Sequence, residues 1–263
     1  MLALISPAKK LDFETEPTIN DHTLPEMLED TEILVDAARK LSRNKLAQTM
    51  KLSDKLADLN YRRYQDFSTP FDLGNAKQAA LVFNGDTYVG LQAETLSKAD
   101  MAFAQKHLRI LSGLYGVLRP LDLIQPYRLE MGAKFRPPRK ADLYDFWDGR
   151  ITDTLNEALD GQKDKTIINC ASNEYFKAVK PKDLAGPVIT PVFKEIKDGQ
   201  SRVLGMFAKQ ARGAMARFMI VNRIKSPEGL KGFDANGYEY REDLSDETTW
   251  VFTRPQPAPA GKK

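Results

Sequence analysis

The chain has 263 residues, 42% of them hydrophobic, so it can bury a full core as one large domain or two small lobes. Its 39 basic and 36 acidic residues leave a net charge of +3, which excludes a strongly basic nucleic-acid-binding protein. Any nucleic-acid surface must therefore come from local clustering of charge. One cysteine excludes an internal disulfide framework, and two histidines make a histidine-rich metal site implausible.

The sequence also lacks the signals of several common classes. No stretch approaches a transmembrane span, and the opening apolar run is too short for a secretory signal. We therefore expect a soluble cytoplasmic protein with no membrane partner. The dinucleotide-binding motif GxGxxG, the P-loop, and the CxxC, HExxH and GxSxG motifs do not occur. The prediction is accordingly for no cofactor and no metal.

The elements predicted in chain order begin with a buried strand, Leu2–Ile5, and a helix that starts at a capping box at residues 23–26 and ends near Leu41. Helices are then predicted at residues 45–51, 53–64, 97–107 and 141–159, with strands at 81–83 and 165–171. The second half adds a hairpin of 188–196 with 202–208, a helix at 209–224, and a strand pair of 237–241 with 249–253. The pattern predicts a mixed α/β (α+β) fold, a single compact domain of irregular topology over residues 1–253, and a disordered Pro- and Ala-rich tail at 254–263.

Residues 107–132 form the most informative segment, because Arg109, Arg119 and Arg128 lie there among glycines and prolines. Gly113 and Gly116 allow backbone N–H groups to approach a ligand closely. A turn-rich segment with fixed arginines suits phosphate recognition. The alternative is a surface loop that packs its leucine and tyrosine side chains.

Two further segments supply candidate catalytic residues. Lys9 follows the first strand, where open α/β sheets place their ligand sites. Asp86 follows the Asn84-Gly85 turn and could orient a base or contribute to a cation site, although one carboxylate does not make a metal site. For both segments the alternative is an ordinary surface turn.

Two more segments add positive charge next to predicted elements. Ser172 is predicted to cap a helix after the strand at 165–171, and Lys177 lies nearby, which favours an anion. On the predicted helix 209–224, Lys209 and Arg212 share a broad face, and small residues let another backbone or a nucleic-acid strand come close. The alternative is a core helix with a charged outer face. Cys170, which has no local histidine, is predicted to be buried and inert.

Taken together, these segments resemble the YaaA family of bacterial peroxide stress proteins. The matching stretches are LISPAKKLDF (4–13), FNGDTYVGLQAET (83–95), LRILSGLYGVLRPLDLIQPYRLEMG (108–132), INCASNEYFKAVKP (168–181) and FAKQARGAMARFMIVNRI (207–224). The resemblance implies a cytosolic protein used against hydrogen peroxide and associated with low intracellular free iron. It also implies a distinct α/β fold with a positively charged cleft. DNA binding through a helix-hairpin-helix-like element is a further implication, and that element would lie at residues 111–123 here.

The leading hypothesis is a protein that binds double-stranded or structured DNA largely without sequence specificity and limits iron-driven damage. Its phosphate contacts would converge on one cleft from Lys9, Arg109, Gly113, Gly116, Arg119, Arg128, Ser172, Lys177, Lys209 and Arg212. The alternative is an enzyme acting on a phosphorylated or nucleotide-like small molecule in the same cleft, lined by Ser6, Lys9, Asn84, Asp86, Asn169 and Ser172. A third hypothesis, a protein-interaction module, has the least support, and the oligomeric state is left open.

Overall fold

The computed structural model describes residues 1–258. The α-helices are α1 (Leu28–Arg39), α2 (Arg43–Met50), α3 (Asp54–Asp66), α4 (Ala79–Val82), α5 (Asp86–Leu91), α6 (Lys98–His107), α7 (Leu143–Trp147), α8 (Arg150–Leu159), α9 (Asn173–Phe176) and α10 (Gly205–Val221). The strands are β1 (Leu2–Ile5), β2 (Lys77–Gln78), β3 (Leu108–Ser112), β4 (Gly116–Leu118), β5 (Leu123–Ile124), β6 (Ile167–Cys170), β7 (Val188–Lys197), β8 (Gln200–Arg202), β9 (Glu239–Arg241) and β10 (Thr249–Pro255). This composition confirms the mixed α/β class.

One large sheet organises the described part of the chain. Its strands follow the order β4-β3-β1-β6-β7-β10-β9, with β8 paired to β7, while β2 and β5 form a separate pair. The five central strands run parallel, and β4 and β9 pair antiparallel at the edges. All four residues of β1 are buried, as expected of a strand covered on both faces.

The order of the central strands determines where a ligand site can form. Numbered among themselves along the chain, the parallel strands β3, β1, β6, β7 and β10 read 2-1-3-4-5, a doubly wound order. The chain leaves β1 toward β3 on one side and later returns to β6 on the other side. The connections after β1 and β6 therefore diverge, and this arrangement opens a crevice at the carboxyl ends of the two strands.

Two glycines bring α5 and α10 into backbone contact. A Cβ added at Gly213 would overlap the Thr87 carbonyl oxygen and lie 2.9 Å from the Leu91 nitrogen. A Cβ added at Gly90 would overlap the Gln210 carbonyl and lie 2.7 Å from the Ala214 nitrogen. The small residues of α10 thus admit another backbone, as predicted, and that backbone is α5. The helix also packs on β1, β6 and β7.

The segment at 111–123 is a β-hairpin followed by a turn, so the prediction of a helix-hairpin-helix-like element is wrong for its secondary structure. β3 and β4 pair antiparallel from Ile110↔Leu118 to Ser112↔Gly116. Ser112 Oγ accepts the backbone N–H of Tyr115 at 3.0 Å, and Gly116 adopts φ +67°, which favours glycine. These turn contacts, together with the burial of all five residues of β3, favour extended chain over helix.

Several boundaries differ from the predictions for local reasons. The predicted strand at 81–83 overlaps the end of α4, and the predicted helix at 141–159 is split into α7 and α8 by Asp148 at φ +40°. α1 begins at Leu28 rather than at a capping box, because the Thr23 hydroxyl donates to Asp122 instead. Most of the predicted strand at 202–208 belongs to α10, which begins at Gly205.

The predicted strand pair near the C-terminus is confirmed, because β9 and β10 pair antiparallel. The predicted tail begins too early, because its first two residues, Arg254 and Pro255, belong to β10 and pair with β7. Residues 259–263 of the predicted tail lie outside the described residues.

Replacing Gly213 with alanine should destabilise the protein, because the new methyl group would collide with the backbone of α5. We expect the free energy of unfolding in urea to fall by about 2–3 kcal/mol. Gly205→Ala in the same helix is the matched control, since a Cβ there meets nothing within 4 Å. The control should change stability by less than about 1 kcal/mol, on the stabilising side. Equal stability of the two variants would show that the α5–α10 contact is looser than described.

Candidate ligand-binding cleft

A cleft of about 480 Å³ opens at the carboxyl ends of β1 and β6. It gathers segments that are far apart in the chain. They are residues 6–10 after β1, residues 84–88 at the start of α5, residues 127–130 after β5, Cys170, Ser172, Glu174 and Tyr175 around α9, and Lys209 and Arg212 on α10. Eight of the predicted site residues therefore share one cleft, namely Ser6, Lys9, Asn84, Asp86, Arg128, Ser172, Lys209 and Arg212.

Two serines join the ends of β1 and β6 at the base of this cleft. Ser6 Oγ accepts the Ser172 backbone N–H at 2.8 Å and donates to Ser172 Oγ at 3.3 Å. Tyr88 on α5 donates its hydroxyl to the Ser6 carbonyl at 3.1 Å. Ser172 is the N-cap residue of α9, as predicted, but its side chain makes no capping hydrogen bond to the helix. Its main contact is with Ser6, at the end of the neighbouring strand β1.

Three tyrosines supply the apolar part of the lining. Tyr88, Tyr127 and Tyr175 are buried, and burial raises the pKa of each phenol above its ordinary value. Tyr127 shares a 2.7 Å hydrogen bond with Ser112, and Tyr88 is bonded to Ser6, so these two hydroxyls are engaged within the protein. The rings thus present neutral aromatic surface to the cleft.

Two basic side chains contact the same carboxylate oxygen of Glu130. Lys9 Nζ lies 3.1 Å from Oε1, and Arg128 donates to the same oxygen from Nη2 at 3.1 Å and from Nε at 3.2 Å. The other oxygen, Oε2, is buried and has no hydrogen-bond partner within residues 1–258. Because buried polar atoms are normally satisfied, this unpartnered acceptor is an unusual feature of the cleft.

Three further cations line the cleft without a carboxylate partner within residues 1–258. They are Lys10, Lys209 and Arg212, and none of them forms a salt bridge or a side-chain hydrogen bond there. The Asp86 carboxylate also lacks such a partner, whereas Glu174 accepts the Gly132 N–H at 3.0 Å. Lys209 and Arg212 lie three residues apart on α10 and hence face the same side of the helix.

Arg109 and Arg119 lie elsewhere, in a second cavity of about 670 Å³ next to Met1 and His107, where β1 and β3 begin. Arg109 is buried, and its Nη1 donates to two backbone carbonyls of its own segment. Arg119 lies 3.0 Å from Glu26 and 2.9 Å from Asp122. The prediction that these arginines converge with Arg128 is wrong, because they lie at the amino ends of β1 and β3, whereas Arg128 lies at the carboxyl ends of β1 and β6.

The remaining predicted residues also lie outside the cleft. Gly113 and Gly116 are buried, and a Cβ at Gly116 would meet Trp147, so their N–H groups have no route to a ligand. The Lys177 ammonium sits 4.7 Å from the centre of the Tyr144 ring, on an exposed face. Asn169 is buried within β6 and does not line the cleft.

Four lining residues are not among the predicted ones: Glu130, Glu174, Tyr127 and Tyr175. Glu130 lies two residues after Arg128, within the segment 107–132 that was predicted from its arginines. A signal was present, because an acidic residue next to a functional arginine is a natural ion-pair partner. The tyrosines offered no such signal, since a buried aromatic in a core looks the same in sequence as one lining a cleft.

Within residues 1–258, no three His, Cys, Asp or Glu side chains converge as a metal centre would require. No helix in that range combines the length and apolar character needed to cross a bilayer.

Cys170 is buried at the end of β6, and burial raises the pKa of its thiol to about 12. The thiol therefore stays protonated at physiological pH, and its thiolate fraction falls on the order of a thousandfold below that of a free cysteine. We expect neither iodoacetamide nor hydrogen peroxide to modify the folded protein at pH 8, and full alkylation in urea, as read by intact mass. Stoichiometric oxidation of the folded protein would contradict the burial of this thiol.

Comparison with known proteins agrees with the residue-level resemblance. The sequence profile of a family described as "Peroxide stress protein YaaA" matches residues 1–244. The chain is 56% identical over 256 residues to a UPF0246 protein of Alteromonas mediterranea, covering 97% of this chain and 99% of that protein. It is 54% identical to one of Magnetococcus marinus (97% and 99%) and 52% identical to one of Paraburkholderia phytofirmans (97% and 98%). The chain belongs to the YaaA family of peroxide stress proteins.

Proposed function

We propose that this peroxide stress protein binds DNA through the cleft at the carboxyl ends of β1 and β6, largely without sequence specificity. The observation that carries the proposal is the set of lining cations without a carboxylate partner within residues 1–258: Lys10, Lys209 and Arg212. Cations that no carboxylate neutralises are available to phosphate oxygens. Contacts to phosphate carry no base information, so binding through them is weakly sequence-specific.

The placement of these cations supports a positioned contact. Lys209 and Arg212 lie on either side of Gln210, whose carbonyl packs against Gly90. The α5–α10 contact therefore holds this part of α10 in place. Arg212 is half-buried, which limits the freedom of its guanidinium. A planar guanidinium held in this way can bind two phosphate oxygens at once.

Family membership points to the biological setting. Hydrogen peroxide reacts with ferrous iron to form species that damage DNA. A protein that covers the sugar-phosphate backbone would limit this damage without storing iron itself. We place this activity in the cytoplasm, on double-stranded or structured DNA.

A second candidate is an enzyme acting on a phosphorylated or nucleotide-like small molecule. It is favoured by the chemical variety of the lining, where the Ser6–Ser172 pair, Asp86 and Lys9 offer groups that backbone contacts alone do not need. The volume of about 480 Å³ also falls in the range of small-molecule sites. A metabolite panel scored by thermal shift, with Asp86→Asn as the comparison, tests this candidate. A stabilising metabolite whose effect Asp86→Asn abolishes would favour it.

The double variant Lys209→Ala/Arg212→Ala should weaken binding to a fluorescent duplex at least tenfold, as measured by anisotropy. Because each lost phosphate contact removes about 0.9 from the slope of log affinity against log salt, the slope should fall by nearly 2. Lys45→Ala/Lys55→Ala is the matched control, since both lysines are exposed on α2 and α3, away from the cleft, and it removes the same charge.

The control variant should bind within about twofold of wild type, apart from a small loss from net charge. Equal weakening by both double variants would indicate a diffuse electrostatic effect and count against the cleft. Wild-type affinity that hardly changes with salt would count against phosphate contacts altogether.

A further inference from the structure

We propose that the cleft takes up a single unpaired nucleotide of DNA, with the base against the tyrosines and Glu130 and the phosphate toward Lys209 and Arg212. This inference rests on the proposed DNA binding and adds a preference for the structure of the DNA. It follows from the size of the cleft and the chemistry of its interior.

The cleft is too small for a duplex but suits one nucleotide. A space of about 480 Å³ is the size of a small-molecule site. A B-DNA duplex, whose major groove alone is about 12 Å wide, is too large to enter it. The phosphates of a duplex can reach rim cations such as Lys209. The interior groups, such as the Ser6–Ser172 pair, can be reached only by a nucleotide that leaves the base stack.

Glu130 indicates which part of the nucleotide enters. Its Oε2 is a buried acceptor in need of a donor, because Lys9 and Arg128 both contact Oε1. Within a DNA strand the phosphates and the deoxyribose rings only accept hydrogen bonds. The N–H donors belong to the bases, and in a duplex the donors on the pairing edges are occupied. An unpaired base is therefore the part of DNA that can satisfy this oxygen at the depth where it lies.

The aromatic lining suits the same part of the nucleotide. Tyr88, Tyr127 and Tyr175 provide neutral rings, and the bonded hydroxyls of Tyr88 and Tyr127 leave mainly apolar surface available. Any of the four bases can pack on aromatic surface, so this contact requires no particular sequence. The phosphate would then face the unpaired cations of α10, because Lys9 and Arg128 already contact Glu130.

The test compares three fluorescent duplexes of one sequence by anisotropy. One is perfectly paired, one carries a single bulged nucleotide, and one carries an abasic residue at the bulge. Extruding a base costs least where it is already unpaired, so wild type should bind the bulged duplex about tenfold more tightly than the perfect duplex. The abasic bulge is equally flexible but offers no base, and it should bind like the perfect duplex.

Glu130→Gln separates base capture from phosphate binding. Loss of this carboxylate releases Lys9 and Arg128, so the variant should bind the perfect duplex at least as tightly as wild type does. It should also lose most of its preference for the bulge. Glu157→Gln is the matched control for charge, because this residue is exposed on α8, and it should keep the full preference. Thermal unfolding establishes that both variants are folded.

Each outcome of the wild-type comparison is decisive without any variant. Equal, salt-sensitive affinity for the three duplexes overturns this inference and leaves the proposed DNA binding in place. Equal preference for the two bulged duplexes also overturns it, because flexibility rather than a base would then be recognised. Failure to bind all three duplexes at low salt overturns the proposed function and this inference together.

Discussion

The backbones of α5 and α10 touch because neither Gly90 nor Gly213 carries a side chain, and the cleft depends on this contact. Asp86 is the first residue of α5, while Lys209 and Arg212 lie four residues and one residue before Gly213 on α10. The contact therefore fixes the relative positions of the two helices that carry a carboxylate and two cations into the cleft. Since α10 also packs on β1 and β6, the same helix carries these groups to the ends of the two central strands. Elements far apart in the chain meet there because the sheet order diverges between those strands.

A second close approach positions the other wall of the cleft. A Cβ at Gly113 would overlap the Leu129 carbonyl and lie 3.1 Å from the Met131 nitrogen, so the β3–β4 turn packs directly against the segment that carries Glu130. The Gly113 carbonyl in turn accepts the Trp147 indole N–H at 3.1 Å. Gly113 thus contributes to the site by letting two backbones meet, while its own N–H remains remote from any ligand.

The location of the site could be predicted from sequence because polar residues follow apolar strands in a recognisable way. Ser6 and Lys9 follow LALI, and Ser172 follows IINC, so each segment marks a strand end on its own. The partition of the arginines could not be predicted. Arg109 is the second residue of the buried strand β3, where its environment depends on the neighbouring strands, and Arg119 is neutralised by Asp122 through a turn. Residue type and spacing do not reveal which cations already have a protein partner.

The buried carboxylate of Glu195 and the half-buried carboxylate of Glu130 have very different surroundings. Glu195 accepts the Tyr238 hydroxyl on Oε1, which lies 3.4 Å from Arg254, and its Oε2 accepts the Leu204 N–H at 3.3 Å. Both of its oxygens are thus engaged, and the cluster joins β7, β10 and the start of α10. Glu130 has two cations on one oxygen, and its other oxygen has no hydrogen-bond partner within residues 1–258.

Burying an ion pair contributes little to stability once the cost of removing water is counted, and leaving a buried acceptor unsatisfied makes the balance worse. For Glu195 that cost is offset by complete hydrogen bonding. For Glu130 only one oxygen is engaged within residues 1–258, and the proposed base would donate to the other. Local costs of this kind are characteristic of functional sites, where the protein holds a group ready for a partner instead of optimising its own stability.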